Sequence, residues 1–208
     1  QAPIPLMIGT NADEGTLLGP LIGSPFVKRS PGPTTREEYE AIVRDVYPDN
    51  VDEILSYYPV RSDEDLADGI NTLLGDHLFG MQAWFAANES ARLGVPTWLY
   101  FFTRTSPAQH QWAGAYHSGE IPFVFGNALP LFPANDFDRE LTEQIMTYWT
   151  NFAKNSDPNS TGVPEWSQFR PVDPREMELG EKVGMRPVER REKYEALIID
   201  QYRELGKD

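Results

Sequence analysis

Cysteine is absent from the 208 residues, which removes disulfide cross-links and thiolate chemistry from consideration. That absence suits the cytoplasm and does not exclude secretion, so localisation stays open. Net positive charge is also missing: 18 Lys and Arg against 32 Asp and Glu give a formal charge of −14. Phosphate backbones and anionic membrane surfaces both need basic side chains, so neither nucleic acid nor membrane is an expected partner. The simplest consequence of such a charge is colloidal solubility; a second is a negative field that draws in cationic small molecules. No apolar run approaches the ~20 residues needed to cross a bilayer. No leader with a charged start, apolar middle and small-residue cleavage site opens the chain. It begins at Gln1 in "QAPIPLMIGT", which reads as the lead into a buried strand, and we expect it to be part of something longer. Histidine is scarce as well, with three in all: His77, His110 and His117.

What is present is a composition able to form a packed core: 40% hydrophobic and 12% aromatic residues, enough for one domain or a large piece of a bigger one. "PIPLMIGT", Pro3 to Thr10, is an apolar run closed by a turn and reads as a buried strand. Gly19 to Thr35 is rich in proline and glycine and reads as loop. Thr35 then caps a helix, with Glu38 three residues on, that runs to about Tyr47. A short helix ending at Pro59 follows. A longer helical stretch starts from Ser62, breaks near Gly75 and stops at Gly94. Val95 to Arg104 is apolar on both faces, as a central strand of a covered parallel sheet should be. The next helix is amphipathic, with Leu141, Ile145, Tyr148, Trp149 and Phe152 on one side. "EMELG" and "KVGMRP" suggest a small hairpin, and the end is helical. The order of strand, helices, strand, helix is that of an α/β protein, with no repeats and no low-complexity segment.

Two residues sit where such a fold builds its sites. Glu14 and His117 each lie just past one of the two strongest strands, and open parallel sheets place sites at the carboxyl ends of their strands. A catalytic histidine needs a carboxylate to hold its tautomer and stabilise the imidazolium. An acid after one strand and a histidine after a later one is the chain order of an α/β-hydrolase triad. Taken alone, each has a plainer reading, Glu14 as a turn carboxylate and His117 as a structural histidine in a loop with no helical character.

The wording of four segments goes further. "IGTNADEGTLLG" resembles the stretch carrying the triad glutamate in the type-B carboxylesterase and cholinesterase family, and "AYHSGEIPFVFGN" resembles that family's catalytic-histidine block. "DHLFGMQAWFAANESARLGVPTWLYFF" and "MTYWTNFAKNSDPN" resemble the family's segments between and behind them, in one collinear order. The resemblance implies Glu14 as triad acid, His117 as general base, and Glu120 as a supporting acid beside that histidine. It also implies that Leu17 and Leu18 border a pocket for a modest acyl group. No cofactor is implied.

The nucleophile is missing. The family's serine sits in a Gly-x-Ser-x-Gly elbow, where strand and helix meet at a strained turn that needs small residues. No such pentapeptide occurs here, nor a Gly-Gly-Gly oxyanion segment. "ANESARLG" imitates the core of the elbow around Ser90, but Asn88 and Arg92 stand in place of the glycines. Ser118 is adjacent to His117, which does not favour the required hydroxyl-to-imidazole geometry. A zinc site would want the His-Glu-x-x-His spacing, which is lacking; a loop cluster of His110, His117 and Glu120 is the weaker alternative, and no metal is expected. The sequons at Asn88 and Asn159 are of the kind that chance supplies.

The expectation is therefore the C-terminal part of a single α/β-hydrolase domain over residues 1–208, with a mostly parallel sheet covered by helices. Its expected activity is carboxylic ester hydrolysis on a small-molecule ester, with the serine on a preceding piece of the same parent protein. The alternative is a cholinesterase-like binding or adhesion module that shares the fold without catalysis.

Overall fold

A computed structural model describes residues 3–17, 32–107, 112–127 and 134–204. In chain order the elements are β1 (Leu6–Asn11), α1 (Arg36–Val46), α2 (Val51–Tyr57), α3 (Leu66–Gly75), α4 (Met81–Arg92), β2 (Thr97–Phe102), α5 (Ile121–Phe125), α6 (Asp136–Asn155), β3 (Arg175–Leu179), β4 (Val183–Pro187) and α7 (Arg191–Glu204). The chain divides into two compact units that interleave in sequence, residues 1–12 with 83–188, and residues 13–82 with 189–208.

The first unit is built on one four-stranded sheet in the order β1-β2-β3-β4. β1 pairs with β2 in parallel, β2 with β3 in parallel, and β3 with β4 antiparallel. β2 is central and buried along nearly its whole length, as its two apolar faces require. β1 departs from the expected buried strand: only Thr10 and Asn11 are fully buried, and Leu6 to Gly9 are half-covered. The reason is topological, since among the described residues β1 pairs on one side only. The "EMELG" and "KVGMRP" hairpin does more than close on itself, because β3 also extends the parallel sheet.

Behind the sheet, Trp98, Phe102, Leu141, Ile145, Tyr148, Trp166, Met177 and Leu179 form one buried cluster. The indoles of Trp98 and Trp166 each donate to the other segment's backbone, Trp98 to the Trp166 carbonyl at 3.1 Å and Trp166 to the Leu99 carbonyl at 3.2 Å. Such bonds let tryptophan be buried without an orphaned N–H. α6 supplies the expected face, with Leu141, Ile145 and Tyr148 buried and Trp149 and Phe152 packed against the cluster. Its start is fixed by a capping box, in which Asn135 and Asp138 each accept the other's backbone N–H, at 2.9 and 2.8 Å.

The second unit is helical. Thr35 caps α1 as expected, accepting the Glu38 N–H at 3.2 Å, but Glu38 reaches back to the N–H of Thr34, at 2.7 Å, one residue earlier than a regular box. The expected break near Gly75 is instead a change of pitch. Gly75 is right-handed helical, and residues Asp76–Gly80 form a single π-type turn leading straight into α4. That wider turn buries Asp76, which the Tyr58 hydroxyl and the Arg190 guanidinium hold at 3.0 and 2.9 Å. The end of α4 belongs to the first unit, where Gly94 follows the helix with a φ of 74°.

Candidate active site

The histidine segment starts where β2 ends. Arg104, buried two residues beyond the strand, donates to Asp138 at the first turn of α6, at 2.6 Å, and pairs with Glu181 in the β3–β4 connection. Burial opposes its charge, but the hydrogen bond to Asp138 and the two carboxylate charges outweigh that and raise its pKa. This anchor ties the departing chain to α6 before it returns through the small buried residues Ala113 and Ala115.

His117 then occupies a tight turn. The Gly119 N–H bonds the Tyr116 carbonyl at 2.9 Å, with His117 and Ser118 at the centre. Ser118 has a φ of 68°, a left-handed conformation uncommon for a residue with a side chain. His117 does not share it, and a positive φ at the second central residue alone is the pattern of a type II turn. Gly119 is required at the fourth position, since an added Cβ would stand 2.9 Å from the Tyr116 carbonyl oxygen. The turn runs directly into α5, where the Ile121 N–H bonds the Ser118 carbonyl at 3.2 Å and those of Phe123 and Val124 bond the Glu120 carbonyl at 3.0 and 3.1 Å. The sequence reading had no helix here. Five residues, Pro122 among them in the first turn, are too few for a periodic signal. Phe123 packs on Phe102 with ring centroids 5.3 Å apart, which fixes α5 to the sheet.

His117 and Glu120 are both half-buried. Glu120 accepts a 2.6 Å hydrogen bond from the Asn11 side chain, which also donates to the Tyr116 carbonyl at 2.8 Å. The Tyr116 phenol is pushed above its ordinary range, by burial first and by the nearby Glu120 charge second. A cavity of about 370 Å³ adjoins the turn at Tyr116 and Gly119, walled by Phe123, Phe125 and Met146, with Arg104 and Asp138 also lining it.

Glu14 belongs to the second unit and is buried in the turn that follows β1. The turn closes on Asp13, whose carbonyl accepts both the N–H and the hydroxyl of Thr16, at 3.2 and 2.9 Å. Its seat is α3. A Cβ on Gly15 would lie 1.9 Å from the Asn71 carbonyl oxygen, and one on Gly75 would lie 3.1 Å from the Glu14 Cβ. Two glycines thus let the acid's backbone rest directly on the helix. Leu17 is half-buried at the end of the same turn, whereas Leu18 lies outside the described residues, as does His110.

Ser90 is wholly buried within α4. Asn88 lies in the same helix, its amide donating to the Trp84 carbonyl, and both ends of the Asn159 amide are bonded to the Trp166 backbone. His77 meets the Tyr47 hydroxyl through Nδ1 at 2.6 Å. Among the described residues no group of three His, Asp or Glu side chains could hold a metal ion. No helix among them is long and apolar enough to cross a membrane. Two residues escaped the sequence reading, Asn11 and Arg104. Each is a polar residue at the carboxyl end of an apolar strand, and that placement is the signal that would have found them.

Comparison with known proteins bears on the whole chain. The profile of the Carboxylesterase family matches residues 1–197. An acetylcholinesterase of Gallus gallus is 37% identical over 123 residues, covering 56% of this chain and 15% of that protein. A medium-chain fatty acyl-CoA hydrolase precursor of Anas platyrhynchos is 32% identical over 140 residues, covering 64% of the chain and 25% of the relative. Neuroligin-3 of Mus musculus is 34% identical over 138 residues, covering 55% and 17%. The matched part of this chain thus spans about a quarter or less of these relatives.

Proposed function

This chain belongs to the carboxylesterase family, and from that premise we propose that it supplies the base and the acid of a Ser-His-Glu ester hydrolase. The serine comes from another segment of the longer protein. In this reading the serine oxygen attacks the ester carbonyl while His117 takes its proton. His117 returns the proton to the departing alcohol, leaving an acyl-enzyme. Water repeats the sequence, His117 again acting as base, and frees the acid. Glu14 holds the imidazole tautomer and offsets its charge, Glu120 supports the turn, and Leu17 and Leu18 border the acyl group. The observation that carries the reading is that one family model spans both the Glu14 turn and the His117 turn, within residues 1–197.

The missing nucleophile supplies the test. Alone, the chain should neither hydrolyse an aryl acetate nor label with a fluorophosphonate probe, because its sequence holds neither a Gly-x-Ser-x-Gly elbow nor a Gly-Gly-Gly oxyanion segment. Co-expressed with the preceding segment of its parent, it should recover both. The open side of β1 gives that segment a strand edge to complete. Mass spectrometry should find the adduct in a Gly-x-Ser-x-Gly peptide of the partner piece; an adduct on Ser90 or Ser118 would overturn the account. The neuroligin-3 similarity supports a second reading, a binding module that does not catalyse. An assembled protein that folds but neither labels nor turns over ester would establish it.

A further inference from the structure

One polar residue in the first unit is buried where nothing in the proposed reaction uses it. Asn11, the last residue of β1, is 2% exposed, yet its Nδ2 group donates to two acceptors more than a hundred residues away. One is the Tyr116 carbonyl at 2.8 Å and the other is Glu120 Oε2 at 2.6 Å. These acceptors bracket His117, one residue before it and three after. The first belongs to the peptide unit joining Tyr116 to His117. Because that unit is planar, fixing its oxygen fixes the plane from which His117 departs. The same oxygen closes the turn by accepting the Gly119 N–H at 2.9 Å. The second acceptor is a carboxylate, so its bond is charge-assisted and short. Between the two anchors lies Ser118, held at a φ of 68° that a free chain seldom visits. A side-chain amide is suited to the place, since one nitrogen offers two donors to two acceptors.

We propose that Asn11 is a positioning residue for His117: its amide locks the Tyr116–Glu120 turn and so holds the imidazole in line with the ester-attacking serine. This rests on His117 being the general base. A misplaced base costs rate at the transition state while leaving ground-state binding intact, so the effect should fall on kcat and spare KM.

The experiment uses the complete protein and an aryl acetate, with turnover normalised to active sites counted by the fluorophosphonate probe. Asn11→Ala should lower kcat per titrated site by about 10- to 100-fold, with KM changed by no more than about twofold. Asn11→Asp keeps the shape but sets a carboxyl group opposite Glu120. In acid the added group keeps one donor, for Glu120, and loses the bond to the Tyr116 carbonyl; near neutrality it has no donor and two carboxylates face each other. Its deficit relative to wild type should therefore be partial near pH 5.5 and deepen towards pH 8. Should Asn11→Ala fail to fold, Asn11→Asp still decides the matter in acid, and Glu120→Gln, which weakens the clamp from its other end, should lower kcat severalfold with KM retained. Wild-type kcat per site in Asn11→Ala, or an Asn11→Asp deficit that does not vary with pH, would overturn the proposal. His117→Ala, run in parallel, separates the two ideas. If it retains turnover, the general-base reading fails; if it is inactive while Asn11→Ala is unimpaired, only the clamp fails.

Discussion

The two turns that carry the proposed acid and base are seated in different ways. The Glu14 turn is closed by the Thr16 bonds to the Asp13 carbonyl and seated by shape: Gly15 and Gly75 leave no room for a Cβ between the turn and α3, and Glu14 itself is buried. The His117 turn is held by donors and acceptors. It is half-buried, one of its central residues has a positive φ, and an amide from β1 pins it before and after the histidine. A turn fixed by shape tolerates a change of charge and resists an added atom. A turn fixed by hydrogen bonds tolerates small changes of volume but suffers when a donor is lost. An acid that must only orient its partner suits the first arrangement, and a base that must face a reacting oxygen suits the second.

The largest effects should come from the chemistry that the two turns present. In the complete protein, His117→Ala should abolish turnover of a simple aryl acetate, a loss of about 10³-fold or more, because no other group takes the serine proton. Near-normal turnover in that variant would sink the triad assignment. Glu14→Gln should cost about as much in kcat while leaving a measurable residue, since the amide spoils only tautomer and charge stabilisation. The isosteric amide also fits the same close seat on α3. Unfolding midpoints close to wild type are therefore expected for Glu14→Gln, and a large drop would mean that charge, not shape, holds this turn.

The comparison sharpens at the next size of effect. Gly15→Ala places a Cβ 1.9 Å from a backbone oxygen of α3, so the helix or the turn has to move. We expect a loss of about 1–3 kcal/mol, read as a lower denaturant midpoint at constant slope. Gly119→Ala meets the Tyr116 oxygen at 2.9 Å, a milder overlap, and should cost less. If Gly119→Ala proves the costlier of the two, the distinction between the turns is wrong.

Much of this fold was legible because its signals are local. The apolar run at β2, the amphipathic stripe of α6 and the Thr35 cap each depend on neighbours in sequence, and each stands where the residues put it. The covering of β1 was misjudged because burial depends on what pairs with a strand, which its own residues do not encode. Gly75 was read as a break because glycine is a poor helix former, yet here it serves close packing within a continuous helical run. Of the proposed site, Glu14, His117 and Glu120 are picked out by motif wording. Asn11 and Arg104 are marked only by their place at strand ends, and their partners are not legible at all, because these lie 105 and 109 residues away for Asn11, and 34 and 77 residues away for Arg104.

The smallest expected effect tests whether the histidine turn stores strain. Ser118 is left-handed at a φ of 68°, a conformation that costs a residue with a Cβ about 1 kcal/mol or more. Ser118→Gly removes that cost but gives the unfolded chain about 0.4–1 kcal/mol of extra conformational freedom. The two terms nearly cancel, so the midpoint should rise slightly or stay level. Ser118→Val should lose about 1–2 kcal/mol, because a β-branched side chain is worse placed than serine in this region. Thermal or denaturant unfolding of the pair gives the answer directly. Opposite or flat responses, with valine costly and glycine not, mean that backbone conformation sets the energetics of the turn. A marked loss with glycine would instead assign the stabilisation to the Ser118 hydroxyl, and the turn would then depend on a side-chain bond at its centre in addition to the clamp from Asn11.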